Sequence, residues 1–248
     1  MEKEKNIRLI MEYDGSGYHG WQRQDTDITI QAIIEDKINT MTGEAVTIIG
    51  SGRTDAGVHA QHQVCNFITM SKIEPEAIRR GLNSLLPDDI FIKEAEYVPL
   101  DFHSRYSAKS KSYEYRIWNR PEKNIFLRNY TWHVRENLDI EVMRKCMLML
   151  TGRHDFSSFK SSGSGNKDPI RRILRAELHG PEDGVLRLVF EADGFLRHMA
   201  RNIVGTLVEV GRSKIDLDEF KEIFISKDRC KGGINAPPQG LFLKMVKY

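Results

Sequence analysis

One carboxylate in this chain stands where a protein would place it to do chemistry. Asp55 lies in the run Gly50-Ser51-Gly52-Arg53-Thr54-Asp55-Ala56-Gly57-Val58-His59-Ala60, with Arg53 two residues before it. Glycines let the backbone bend where one side chain must be aimed into a cleft, and loops held on a rigid scaffold carry much of reactive chemistry. A carboxylate held in this way can attack a sugar carbon as a nucleophile or remove a hydrogen as a base. A P-loop phosphate cradle is a poor match, because the run lacks the Lys-Ser/Thr ending and the helix start of that motif. From the loop alone, a plain hairpin turn stays open beside the chemical reading.

Other reactive side chains are less pointed. Arg197 and Arg201 are four apart in a stretch that reads as a helix, so they share one face, and an exposed polar face is the simplest account of them. Tyr113, Tyr115 and Ile117 alternate along a strand and read first as core. His59, His62, His154 and His198 form no metal-ligand signature and read as structural or ligand-contacting. Cys65, Cys146 and Cys230 are odd in number and widely spaced, which gives neither a disulfide framework nor a zinc site. Glycoside hydrolysis, another carboxylate chemistry, usually needs a pair of acids, and no second acid stands out near Asp55.

The elements that must position these groups follow from periodicity. Residues 6–13 read as a strand, 30–42 as a helix with apolar residues at helical spacing and Gly43 as its stop, 45–49 and 63–69 as strands around the Asp55 loop, 75–86 as a helix opened by Pro75, and 90–98 as a strand. That order, β-α-β-β-α-β, is the split βαβ pattern. The second half repeats it loosely: a strand at 111–119, a helix from Asp139 to Leu150, strands at 170–179 and 184–193 across Gly180-Pro181-Glu182-Asp183, helices at 195–211 and 218–226, and a strand at 241–246. Two α+β domains result, 1–105 carrying the Asp55 loop and 106–248 completing the site. Ser161–Asn166 reads as a mobile loop. Its neighbours Lys160, Lys167, Arg171 and Arg172 fit a flap that contacts a polyanion, and a plain connector serves equally well.

The chain has 248 residues, enough for one large core or two modest ones, and no apolar run approaches a membrane span. The charged N-terminus does not read as a signal peptide, so the cytoplasm is the default location. The net charge is only +2, but cations cluster at 103–128 and 153–175, as local phosphate binding would require. Any one such run alone reads more simply as a solvated face.

The ordered string RTDAGVHA resembles the catalytic motif of the TruA family of tRNA pseudouridine synthases. Similar segments follow in the family order: Leu82–Pro87, Phe102–Ala108, Lys111–Arg116, Gly152–Phe159, Gly194–Asn202 and Pro237–Leu243, so the likeness runs from about Ile7 to Tyr248. The resemblance implies the pseudouridine synthase fold, α+β, with two split-βαβ-like domains whose mixed sheets join across a central active-site cleft. It implies that Asp55 is the catalytic aspartate, that Arg201 pairs with it, and that Arg53 displaces the target base. Tyr113 would stack on the target uracil and exchange a proton through its hydroxyl, and Leu241 or Leu243 would wall the base pocket. The implied substrate is uridine at positions 38, 39 and 40 of the tRNA anticodon arm, flipped out of its stack. A redox-neutral isomerisation requires no metal or cofactor. A homodimer whose subunits both contact the tRNA is implied as well. A non-catalytic RNA-binding module is the alternative from another class, and a paralogue acting on other RNA sites is the alternative within the family. Covalent attack and a glycal-type path both stay open.

Overall fold

In the computed structural model, residues 3–161 and 168–248 are described. They form two compact units, one of Met1–Lys109 with Phe242–Tyr248 and one of Ser110–Leu241. The Ser/Gly-rich loop expected at 161–166 lies outside the described residues but for Ser161, as does Lys167. Among the described residues no helix is long and apolar enough to cross a membrane.

The first unit opens with β1 (Lys5–Tyr13), whose alternate residues Ile7, Leu9, Met11 and Tyr13 are buried. Helix α1 (Ile30–Thr42) starts where the Thr29 side chain accepts a hydrogen bond from the Ala32 amide, and ends at Gly43 in the left-handed region, as the spacing predicts. The short β2 (Ile49–Gly50), β3 (His59–Thr69), α2 (Pro75–Leu85) and β4 (Ile90–Val98) follow. β1 lies between β3 and β4, antiparallel to both, with Leu9 opposite Cys65 on one side and Ala95 on the other. Ile30, Ile34 and Ile38 of α1 and Ile78 and Leu82 of α2 are buried.

The strand expected at 45–49 is mostly absent. The Ile48 amide donates instead to the Glu35 carboxylate (2.9 Å), and its carbonyl accepts from Gln31 (3.3 Å). Side chains of α1 thus take the bonds that a ladder would have used, and only Ile49 and Gly50 pair with β3.

The second unit holds β5 (Ser110–Asn119), β6 (Trp132–Val134), α3 (Ile140–Met149), β7 (Gly152–Asp155), β8 (Ile170–Glu182), β9 (Val185–Ala192), α4 (Met199–Gly211) and α5 (Leu217–Ser226). β5, β9, β8 and β7 lie side by side and antiparallel, and β6 adds to β5 in parallel. The turn between β8 and β9 is two residues later than its sequence suggests. Asp183 and Gly184, both at positive φ (49° and 85°), make the tight connection that hairpin twist favours. Helix α4 starts at Met199, not Phe195, because His198 takes a left-handed backbone (φ 61°) and breaks the helical path. The helical spacing read for Arg197 and Arg201 therefore does not apply.

The closing strand β10 (Leu241–Lys247) belongs mainly to the first unit, where it runs parallel to β3 with Phe242 opposite His59 and Leu243 opposite Ala60. Behind it, the Tyr248 hydroxyl donates to the Ser104 carbonyl at 2.7 Å.

Candidate active site

In the first unit, the Asp55 loop joins β2 to β3 and is gripped by the segment after β1. The Tyr13 hydroxyl sits 2.8 Å from the Thr54 hydroxyl. The Trp21 amide donates to the Thr54 carbonyl (3.1 Å), and the Gly57 amide to the Tyr18 carbonyl (3.2 Å). Both chains run too close for side chains at three points. A Cβ on Gly15 would lie 2.1 Å from the Val58 carbonyl oxygen, one on Gly20 would lie 2.5 Å from that of Thr54, and one on Gly50 would strike the Trp21 indole at 2.6 Å. Burial pushes the Tyr13 phenol well above its ordinary range, although its bond to Thr54 pulls the other way, so it stays a neutral hydrogen-bonding group.

Within this frame Asp55 is half-buried and its carbonyl accepts the Val58 amide at 3.1 Å, which closes a tight turn. Arg53 is exposed on the same loop. His59 is buried, with Nδ1 3.1 Å from both the Gly15 amide and an Asp14 carboxylate oxygen, and its ring stacks on Phe242 at 4.6 Å. The histidine thus ties the loop's exit to both β10 and the Asp14 turn.

Tyr113 and Arg201 lie in the second unit. Tyr113 is buried on β5, and its ring meets Phe195 edge-on at 4.8 Å. Phe195, read from the sequence as helix core, lies in the approach to α4 instead. Arg201, half-buried in the first turn of α4, donates its Nε–H to the Ala236 carbonyl (2.7 Å), and the Ala236 amide donates to the Arg201 carbonyl (3.2 Å). The structure thus sets Asp55 and Arg53 on one loop of the first unit, and Tyr113 and Arg201 in the second.

A family model described as tRNA pseudouridine synthase matches residues 9–107 and 147–248. The chain belongs to the tRNA pseudouridine synthase family. Its similarity to individual members is end to end. A protein of Thermoanaerobacter sp. (strain X514) named tRNA pseudouridine synthase A is 48% identical over 244 residues, 98% of this chain and 100% of the relative. Proteins of the same name from Acetivibrio thermocellus and Clostridium acetobutylicum are 48% and 46% identical, with the same coverage. The matched tRNA pseudouridine synthase spans contain Arg53, Asp55 and Arg201, and Tyr113 falls between them.

Sequence reasoning passed over several groups that hold this site. The grip of residues 13–21 was signalled by Gly15, Gly17 and Gly20 ahead of Trp21, a punctuation that follows a strand without reading as a turn of known type. The contact between the Ser161 hydroxyl and His198 Nδ1 (2.6 Å) carried no signal, because the partners are distant in sequence.

Proposed function

We propose that this protein isomerises uridine to pseudouridine in tRNA, at positions 38, 39 and 40 of the anticodon arm. The observation that carries the reading is the 48% identity, over 98% of the chain, to a protein named tRNA pseudouridine synthase A, with the Asp55 loop inside the span matched by the family model. The reaction breaks the bond from ribose C1′ to uracil N1, makes one from C1′ to C5, and moves the C5 hydrogen to N1, so nothing is oxidised or reduced. Asp55 is the reacting carboxylate, as nucleophile toward the sugar or as base toward its 2′ hydrogen.

Arg201 is the cation that pairs with that carboxylate. Its Nε–H donates to the Ala236 carbonyl. Arg53, exposed beside Asp55, fills the stack that the flipped base leaves, and Tyr113 stacks on the uracil. The enzyme acts as a cytoplasmic homodimer on one tRNA.

Unmodified tRNA incubated with the protein, with no added metal or cofactor, should gain pseudouridine at positions 38–40. Asp55→Asn should form none while binding tRNA with near wild-type affinity. Modification at other sites would favour a paralogue, and binding without modification by the wild type would favour an RNA-binding module.

A further inference from the structure

Residues Gly232–Gly240 form a strap laid along α4 with no room between them. A Cβ on Gly205 would fall 1.7 Å from the Ile234 carbonyl oxygen, and one on Gly233 would fall 2.7 Å from the Thr206 Cα. The Gly233 amide donates to the Thr206 hydroxyl at 2.9 Å. In the middle of the strap, Ala236 exchanges its two backbone bonds with Arg201. One residue further on, the Pro237 carbonyl accepts the Tyr115 hydroxyl at 2.7 Å. Gly240 then presses on the Tyr115 ring so closely that a Cβ there would reach it at 2.7 Å.

The strap is thus anchored at both ends and carries, between the anchors, the carbonyl that aims Arg201. We infer that Tyr115 is a positioning residue for the reaction: its hydroxyl holds Pro237, and through the adjoining Ala236 carbonyl it sets the direction of the Arg201 guanidinium. Tyr115 touches no reacting atom in this account. Its alternation with Tyr113 and Ile117 gave it a core role, and full burial of its ring is consistent with that role but does not need a hydroxyl. Burial pushes the phenol well up, and the nearby Arg201 charge pulls it down only in part, so the group stays protonated and able to donate. A long arginine side chain loses reach and direction when its anchor shifts, and small displacements of this kind slow chemistry more than they weaken binding.

This inference rests on the role given above to Arg201, and the test separates the two. Single-turnover rates, tRNA dissociation constants and thermal melts are measured for wild type, Tyr115→Phe, Arg201→Ala and the double variant. Tyr115→Phe should slow the chemical step by about tenfold or more with tRNA affinity unchanged. In the Arg201→Ala background it should add nothing, because residues acting through one group are non-additive. A wild-type rate for Tyr115→Phe, or its full effect repeated on top of Arg201→Ala, overturns the inference and leaves the role of Arg201 standing. An Arg201→Ala variant of undiminished rate overturns that role and the inference with it. If Tyr115→Phe does not fold, Thr206→Val loosens the other anchor and is carried through the same cycle, with the same outcomes.

Discussion

At the scale of single residues, Tyr113 is where packing and the proposed chemistry make different demands on one ring. Packing asks only for apolar volume against Phe195, which leucine supplies in part. Stacking on a base asks for an aromatic face, and proton exchange asks for a hydroxyl. Tyr113→Leu should therefore leave circular dichroism near wild type while pseudouridine formation collapses. Tyr113→Phe keeps the face and removes only the hydroxyl. It should bind tRNA normally and turn over roughly 10²–10⁴-fold more slowly, the usual share of general acid–base help. Near wild-type turnover by either variant would leave Tyr113 as a core residue. The four proposed site residues differ in how they could be read. Asp55 and Arg53 stand in one short loop whose order is diagnostic. Arg201 and Tyr113 are recognisable by resemblance, and their own periodicity argued for a polar face and for core.

Among elements, the Asp55 loop owes its shape to the segment after β1, which grips it through backbone as well as side chains. Gly15 and Gly20 let backbone lie on backbone, and the loop is held by amide–carbonyl bonds at Thr54 and Gly57. Gly15→Ala should force the two chains apart at Val58, costing on the order of 1–3 kcal/mol as overpacking does. A lower thermal midpoint with a larger proportional loss of activity than of stability would report displacement of Asp55, and an unchanged midpoint would show that the chains can part freely. Helices were the most legible elements, and α1 is found where its spacing and Gly43 placed it. Its apolar residues recur at one period, and its caps are local. The errors came from features that periodicity does not report. Residues 45–49 read as strand from their apolar run, but Glu35 and Gln31 claim the backbone of Ile48. Phe195 continued the apolar stripe of α4, but a left-handed His198 cuts the helix short of it.

For the whole molecule, the expectation is that binding to tRNA follows charge distribution and not net charge. Arg116 and Arg175 are engaged with Glu114 and Glu177, whereas Arg120, Lys123, Arg128, Arg153 and Arg172 have exposed side chains. If about five of the chain's cations meet phosphates, the logarithm of tRNA affinity should fall against that of salt with a slope of roughly −3.5 to −4.5. Arg153→Glu and Arg172→Glu should each make that slope shallower, and a flat dependence for the wild type would remove phosphate contacts as the main source of affinity. The parallel strand β10 has a consequence for how the protein is made. It completes the first unit, yet it is encoded after the whole of Ser110–Leu241. At ribosomal speeds of about 5–20 residues per second, on the order of ten seconds separate emergence of β3 from arrival of its partner. Throughout that interval the nascent N-terminal half offers an open sheet edge at His59 and Ala60, a surface on which other strands can pair. A chaperone that shields nascent chains should therefore matter more to this half, which is translated first and finished last, than to the half that follows it.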